Sequence, residues 1–199
     1  MAHPKRERRG SAADAYPGKI RIIGGRWRGR KLPVLEQAGL RPTPDRVRET
    51  LFNWLAPVID GARCLDLFSG TGALCLEALS RGAAEVVMVE RAAHVADQLR
   101  RNIATLAADG ATVIETDAVD YLRGDVRPFD IIFLDPPFAS DLIARAGELV
   151  DTRGWIKPGG LVYIEAPAEM RPLPLPARWS IAKDKRAGQV GYYLLRASA

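Results

Sequence analysis

From Gly61 onwards, short apolar runs alternate with segments of helical periodicity, and this alternation limits the possible fold more than any other feature. The expected strands cover residues 63–68, 85–90, 111–116, 129–135 and 160–166, and the expected helices residues 72–82, 94–108, 118–124 and 141–150. The strands are almost entirely apolar, which is typical of parallel strands covered by helices on both faces. Two more strands, joined by a turn at residues 185–188, complete a predicted α/β fold with a doubly wound, mostly parallel, seven-stranded sheet.

The segment before this pattern predicts an N-terminal β-hairpin extension. KIRIIGG and RWRGRKLPVL read as two short strands that turn at Gly24-Gly25. RPTPDRVRETLFNWLAPVI then predicts a helix, with Thr43 as its N-cap and Pro44 at its first position. We therefore divide the chain into a disordered basic tail (1–18), the hairpin extension (19–40) and one larger domain (41–199).

The net charge of +5 is unevenly distributed along the chain. Residues 1–50 carry 13 Lys or Arg and 5 Asp or Glu, a net +8, whereas the remaining residues carry a net −3. A basic head on a mildly acidic body suggests that the N-terminal part contacts a polyanion, although the tail itself reads as a solubilising segment. The expected contacts are Arg21, Arg26, Trp27, Arg28, Arg30, Lys31 and Arg41. For Trp27, packing of the hairpin onto the domain is an equal alternative. Arg46 and Arg48, on the helix that follows, are further candidates for RNA contact, and a solvated helix face is an equal alternative for them.

Composition excludes several other classes of protein. The sequence has no run of ~20 apolar residues that would span a membrane, and its basic N-terminus lacks the apolar core of a signal peptide. The two cysteines, Cys64 and Cys75, lie in apolar segments without further ligands at zinc-binding spacing. We expect a cytoplasmic protein without a structural metal.

The first strand of the alternating region ends in a glycine-containing turn, DLFSGTG, over residues 66–72. In a doubly wound sheet, ligands bind at the carboxyl ends of the strands near the switch point. Gly70 and Gly72 allow the backbone to approach a ligand closely. Glu90 ends the next strand, where a carboxylate can accept hydrogen bonds from both hydroxyls of a ribose. These positions predict a nucleoside-containing cofactor.

The acid at the start of this turn distinguishes between cofactors. A dinucleotide fingerprint requires a third glycine where this chain has Cys75. Asp66 would repel a pyrophosphate but attract a cation, and S-adenosylmethionine carries an ammonium and a sulfonium group and no phosphate. The turn therefore favours S-adenosylmethionine, with an NAD-dependent dehydrogenase as a disfavoured alternative.

The fourth strand ends in FDIIFLDPPF, which places an acid, two prolines and an aromatic residue at the same edge. Proline has a fixed φ and no N–H, so the turn is stiff. The Asp135 carboxylate and the Pro136 carbonyl form a pair of acceptors for an exocyclic amine, with Pro137 stiffening the turn and Phe138 stacking on the ring. Held in this way, the amine directs its lone pair at an incoming methyl group. The alternative is a structural strand terminator.

These motifs resemble those of a known family. FDIIFLDPPF is similar to the D/N-P-P-F/Y/W motif of amino-group methyltransferases. DLFSGTGALCLEALSRGA, RIIGGRWRGRKLPV and LRPTPDRVRETLFNWL together resemble the bacterial enzymes that methylate N2 of one guanine in 16S ribosomal RNA. The resemblance covers the chain from about Ile20 to the C-terminal strands. Where the family loop more often has Ala and Ser, this chain has Ser69 and Thr71, which are similarly small.

The resemblance implies a Rossmann-like class I methyltransferase that uses S-adenosylmethionine. It implies roles for individual residues as follows: Asp66, Phe68, Gly70 and Gly72 line the cofactor, Glu90 holds its ribose, Asp117 and Ala118 contact its adenine, and Asp135, Pro136, Pro137 and Phe138 form the catalytic turn.

The implied substrate is 16S ribosomal RNA, within the 30S subunit or an assembly intermediate. Because a stacked or paired base hides its amine, the enzyme must extrude the target nucleotide, and we expect the enzyme to be a monomer. Two alternatives remain. A DNA base methyltransferase would use the same chemistry but would need a separate recognition domain, for which 199 residues leave little room. A non-catalytic RNA-binding protein would have no need for the intact turn over residues 135–138.

Overall fold

The structure, a computed structural model, describes residues 18–35, 43–137 and 141–198. The predicted basic tail up to residue 17, Arg41 and Phe138 therefore lie outside the described residues. Within the described ranges, no helix is long and apolar enough to cross a membrane.

Nine strands and five helices follow one another along the described chain. They are β1 (Gly18–Arg21), β2 (Lys31–Val34), α1 (Asp45–Leu55), β3 (Arg63–Asp66), α2 (Ala73–Ser80), β4 (Glu85–Glu90), α3 (Ala93–Leu106), β5 (Ala111–Glu115), α4 (Ala118–Arg123), β6 (Phe129–Leu134), α5 (Leu142–Thr152), β7 (Ile156–Pro167), β8 (Trp179–Ala187) and β9 (Val190–Ala197).

Seven of these strands form one sheet in the order β5-β4-β3-β6-β7-β9-β8. Strands β3 to β7 are parallel, and β9 runs antiparallel to both β7 and β8. Helices α1, α2 and α3 bury their apolar sides on one face of the sheet, and α4 and α5 bury theirs on the other. The predicted doubly wound, mostly parallel seven-stranded fold is confirmed, and its switch point lies between β3 and β6.

Two element boundaries differ from the predicted ones. Strand β7 begins at Ile156 rather than 160, because Ile156 already pairs with Phe129 before the register shifts and pairing resumes at Leu161. The last two strands turn at Gly188 and Gln189, later than predicted, because the ladder between β8 and β9 continues to Ala187 and Val190.

The predicted N-terminal antiparallel hairpin is confirmed, although its strands are shorter than predicted and a longer segment joins them. Strands β1 and β2 have four residues each and pair antiparallel, with residues 22–30 connecting them. The backbone N–H groups of Ile23 and Gly24 each donate to the Glu77 carboxylate at 2.8 Å. The connecting segment thus binds the C-terminal half of α2, and it also closes on itself, since the N–H of Ile22 donates to the Arg30 carbonyl at 2.9 Å and the N–H of Gly29 to the Ile22 carbonyl at 2.8 Å.

A buried charge fixes this attachment. Glu77 is 0% exposed, and besides the two backbone donors it binds Arg81 Nε at 2.7 Å and lies 3.8 Å from an Arg48 guanidinium nitrogen. The prediction of an RNA-contacting or solvated Arg48 is wrong, because its side chain is buried between the extension and α2. Removing one partner from such a buried pair typically costs about 3–5 kcal/mol, because the remaining charge stays buried without compensation.

The start of α1 also differs from the prediction. Thr43 does not cap the helix, which begins at Asp45 after Pro44 and has no side-chain cap. The Thr43 hydroxyl donates instead to Glu165 Oε1 at 3.0 Å, across 122 positions of sequence. A local cap is therefore replaced by a long-range bond to the sheet.

We expect Gly25→Ala to destabilise the protein far more than Gly29→Ala, a matched control in the same segment. Both glycines have positive φ, +74° and +83°, and a side chain there costs about 1–2 kcal/mol. A Cβ on Gly29 meets nothing within 4 Å, whereas a Cβ on Gly25 would overlap the carbonyl of Ser80. That clash adds about 1–3 kcal/mol. Urea unfolding of both variants measures the difference, and equal losses of stability would contradict the docking described above.

Candidate active site

Three of the predicted acids meet at the carboxyl edge of the sheet. Asp66 ends β3, Glu90 ends β4, and Asp135 directly follows β6. Because β4, β3 and β6 are parallel neighbours in the sheet, these strand ends lie side by side at the switch point. The sequence-predicted cofactor loop and catalytic turn are therefore adjacent.

The loop between β3 and α2 depends on two glycines in left-handed conformations. Gly70 has φ 47° and Gly72 has φ 75°. A Cβ on Gly72 would lie 2.5 Å from Leu99 Cδ2, so a side chain here would displace Leu99 as well as strain the backbone. The Gly72 N–H closes the loop by donating to the Ser69 carbonyl at 2.7 Å, and α2 begins at the next residue.

Glu90 ties the end of β4 to this loop. One carboxylate oxygen accepts the N–H of Gly70 at 3.0 Å, and the other accepts the N–H of Ala92 at 2.8 Å. Each oxygen of a carboxylate offers about two lone-pair sites, so both can accept one further donor. The sequence predicted a ribose contact for Glu90, which stays a prediction, and missed that the same carboxylate holds the glycine loop in place.

Asp66 lies beneath the loop, 2% exposed. Its carboxylate accepts the Phe68 N–H at 3.1 Å and the Cys75 thiol at 3.0 Å. Burial raises the pKa of Asp66 to about 6, while the hydrogen bonds from Cys75 and Phe68 lower it and the charge of Glu90 raises it.

Sequence reasoning treated Cys75 only as a small buried residue and missed this thiol donor. The sequence did offer a sign of this role, because Cys75 replaces the third glycine of a dinucleotide fingerprint and lies on the first turn of α2, directly after the loop. Burial and the neighbouring Asp66 carboxylate raise the pKa of the Cys75 thiol well above its usual value, so the proton stays on sulfur.

Asp117 and Ala118 lie where β5 passes into α4. Asp117 is the N-cap of α4, and its exposed side chain accepts the Val119 N–H at 2.8 Å. Strand β5 pairs with β4, so Asp117 is at the same edge of the sheet as Glu90. Phe68 is half-buried against the apolar core of the face covered by α4 and α5.

Asp135 is half-buried at the end of β6, followed by the buried Pro136 and the exposed Pro137. Burial raises the pKa of Asp135 well above its usual range, and the nearby charges of Glu165 and Asp66 raise it further. Such a carboxylate accepts a proton more readily than an ordinary aspartate.

The predicted RNA-contacting residues divide into two groups. Five are exposed cations: Arg21, Arg26, Arg28, Arg30 and Lys31. The outward placement of Trp27 is wrong, because Trp27 is 7% exposed in the core and the Arg26 guanidinium covers its ring at 3.9 Å from the centroid. Packing, the alternative for Trp27, is what the structure supports.

The exposed arginines of the connecting segment lie away from the cofactor loop. The Arg26 N–H donates to the carbonyl of Ser80, the last residue of α2. The glycine loop precedes the first residue of α2, and an eight-residue helix is about 12 Å long. Arg21, on β1, is engaged in an exposed ion pair with Asp45 at 2.9 Å. The sequence could not separate these positions because it does not give the direction of the extension along α2.

A family model described as "Conserved hypothetical protein 95" matches residues 20–196. The Escherichia coli (strain K12) protein named "Ribosomal RNA small subunit methyltransferase D" is 50% identical over 182 residues, covering 92% of each chain. The chain belongs to this family. The Haemophilus influenzae protein of the same name is 47% identical over 181 residues, covering 89% of this chain and 93% of its own.

A solved structure agrees with the family membership. The Escherichia coli methyltransferase yhhF superposes with a TM-score of 0.84 at 50% identity, covering 92% of this chain and 99% of that chain. The family resemblance predicted from the motifs is confirmed.

We expect the stability of the wild-type protein, relative to Asp66→Asn, to fall as pH rises. The pKa of Asp66 is raised on folding, so its contribution is fully present below the unfolded pKa near 4 and is lost as pH rises through about 6. A shift of two units corresponds to about 3 kcal/mol between about pH 4 and about pH 7. Denaturant unfolding of both proteins across this range measures the change, with the exposed Asp109→Asn as control. A difference independent of pH would contradict the burial of this carboxyl.

Proposed function

We propose that the protein transfers a methyl group from S-adenosylmethionine to the exocyclic N2 amine of a guanine in 16S ribosomal RNA. Membership of the family supports the general part of this function, that the protein is an S-adenosylmethionine-dependent methyltransferase of ribosomal RNA. The observation that supports the amine as the target is the Asp135-Pro136-Pro137 turn beside the glycine loop, at the switch point of the sheet.

The residues at this edge fit S-adenosylmethionine, which supplies an electrophilic methyl group on a sulfonium. In our proposal the left-handed conformations of Gly70 and Gly72 shape the loop so that the cofactor can approach its backbone. Glu90 accepts the ribose hydroxyls with the lone pairs that its two backbone donors leave. Asp66 attracts the cationic groups from beneath the loop.

The remaining cofactor contacts stay as the sequence proposed them. Phe68 lines the pocket, and Asp117 and Ala118 contact the adenine from the start of α4. In support, the Asp117 side chain is exposed at the edge that Glu90 shares.

In the proposed reaction, the Asp135 carboxylate and the Pro136 carbonyl accept the two N–H groups of the target amine. An aromatic amine is a weak nucleophile because its lone pair is delocalised, and orienting that pair toward the methyl group lowers the barrier. As the N–C bond forms the amine becomes acidic, and Asp135 takes the released proton. The raised pKa of Asp135 suits this acceptor role. We assign Pro137 to the stiffness of the turn and Phe138, which lies outside the described residues, to stacking on the base.

We expect Asp135→Ala to lower the methyl-transfer rate by about 10²–10⁴-fold while cofactor affinity stays nearly unchanged. Asp135→Asn keeps one acceptor oxygen and should retain more of the rate. Because the pKa of Asp135 is raised, the wild-type rate should fall as pH falls through that pKa, and Asp135→Asn should lack this limb. Single-turnover rates at saturating cofactor from about pH 5 to about pH 9, with calorimetry for cofactor binding, measure these effects. An Asp135→Ala variant that keeps most of its rate would refute the proposed role.

RNA binding requires phosphate contacts beyond the pocket that holds the base. We propose that Arg26, Arg28, Arg30 and Lys31 hold phosphates of RNA that extends along the α2 side of the domain, since the connecting segment lies about one helix length from the loop. Arg21 and Arg41 stay as further candidates. Arg21 would have to exchange its ion pair with Asp45 for a phosphate, and Arg41 lies outside the described residues.

Two lysines on the edge strand β8, Lys183 and Lys185, form a second candidate surface for phosphate contacts. Tyr192 of β9 pairs with Glu165 of β7 and with Lys185 of β8. Lys185 is therefore three strands from Asp135, about 14 Å at ~4.8 Å per strand. Lys183 and Lys185 are exposed, and neither forms an ion pair with any residue in the described ranges. We propose that they hold phosphates that flank the target nucleotide.

Charge reversal should separate these two surfaces. We expect Lys183→Glu with Lys185→Glu, and Arg26→Glu with Arg28→Glu, each to raise the KM for RNA with little change in kcat. Each lost phosphate contact should reduce the slope of log affinity against log salt by about 0.7–0.9. Arg123→Glu, on the opposite face of the sheet, is the control. A salt slope equal to that of wild type would remove the altered surface from the RNA interface.

We propose that the substrate is an assembled or assembling 30S particle, met by a monomer in the cytoplasm. The free, buried Cys64 and Cys75 suit a reducing compartment. Tritiated S-adenosylmethionine, offered with 30S particles, free 16S RNA or DNA from cells lacking the gene, tests the base and the substrate together. Label in N2-methylguanosine from 30S particles supports the proposal, and label only in a DNA base overturns it. Sedimentation of the enzyme alone tests the monomer.

A further inference from the structure

Glu165 is a buried acid beside the catalytic turn that sequence reasoning did not select. Leu134 of β6 pairs with Ile164 of β7, so the next residues, Asp135 and Glu165, end up side by side at the carboxyl edge. Glu165 is 5% exposed. Its charge is close enough to contribute to the raised pKa of Asp135. The pocket that would receive the target base therefore has two neighbouring carboxyl groups.

The two oxygens of Glu165 have different surroundings. Oε1 accepts the Thr43 hydroxyl at 3.0 Å and the Tyr163 hydroxyl at 2.9 Å. Among the residues that the structure describes, none donates a hydrogen bond to Oε2, and no Lys or Arg pairs with this carboxylate. Burial raises the pKa of Glu165, while the two hydroxyl donors lower it. Two donors on one oxygen thus orient the group and leave the other oxygen as an acceptor.

The bases with an exocyclic amine differ at the ring nitrogen next to that amine. In guanine this nitrogen, N1, carries a hydrogen, so N1–H and the N2 amine form adjacent donors. In adenine and cytosine the corresponding nitrogen has a lone pair and accepts. An acceptor beside the amine-binding turn therefore favours guanine. With adenine or cytosine, the lone pair of the ring nitrogen would repel the lone pair of the acceptor.

We propose that Glu165 accepts the N1–H of the target guanine through Oε2 while Asp135 holds the N2 amine, and that this contact selects guanine. The inference rests on the proposed methyl transfer to N2, and it adds the residue that reads the base. Glu165 binds the substrate in this role, whereas Thr43 and Tyr163 are positioning residues that fix its carboxylate.

The test compares two bases at the target position, guanine and 2-aminopurine. 2-Aminopurine keeps the amine at C2, but its N1 is an acceptor. Substrate particles are reconstituted with 16S RNA ligated around a synthetic oligonucleotide that carries either base. The wild-type enzyme should prefer guanine in kcat/KM by roughly 10- to 100-fold, the size expected for one hydrogen bond to a charged group.

Glu165→Gln should change this preference specifically. Its side-chain oxygen still accepts the hydroxyls of Thr43 and Tyr163, and its amide can donate to N1 of 2-aminopurine. We expect guanine methylation to fall, 2-aminopurine methylation to rise, and the ratio to fall by about 10-fold or more. Glu148→Gln, an exposed acid on α5, should keep the wild-type ratio. Cofactor affinity and unfolding of Glu165→Gln verify that the fold is intact.

The outcomes separate the inference from the function on which it rests. If wild type methylates neither base, the proposed function fails. If wild type methylates both bases equally, or if Glu165→Gln lowers both rates by the same factor, methyl transfer stands and the reading of N1–H by Glu165 is overturned. The wild-type comparison needs no variant, so it remains decisive should Glu165→Gln fold poorly.

Discussion

The site depends on the confinement of carboxylates at one edge of the sheet. Asp66 ends β3, Asp135 follows β6 and Glu165 lies near the end of β7, and each has a pKa raised chiefly by burial. Ionised groups in such surroundings repel one another and have lost part of their hydration. A cationic cofactor and a base that presents N–H donors would relieve both costs. The free site is therefore electrostatically complementary to what we propose it binds.

The hydrogen bonds around these acids determine what each can do. Asp66 is held by the Cys75 thiol and a backbone N–H, so it is fixed in place beneath the loop. Glu165 is held through a single oxygen by two hydroxyls. The same chemical group thus serves different tasks because its donors differ in number and position.

The sequence correctly predicted that Asp66, Glu90 and Asp135 lie near one another. The apolar runs predict the strands, and the carboxyl ends of parallel strands meet at one edge of the sheet. It did not identify Glu165, which reads as one more residue of an apolar strand until pairing places it next to Asp135. Thr43 was assigned to a helix cap, the common role of a threonine before proline and an acid, and its partner lies 122 positions away. Contacts between distant segments are fixed by packing, which the local pattern does not contain.

The attachment of the N-terminal extension has a mechanical consequence. Residues 22–30 bind the last turn of α2 through Glu77 and Ser80, and the glycine loop is continuous with the first turn of the same helix. An α-helix of two turns behaves as a strut, because its length changes only if its backbone hydrogen bonds break. If the extension binds RNA and the loop binds the cofactor, as we propose, the two binding surfaces lie at opposite ends of α2. A change in the position of α2 would then affect both surfaces together.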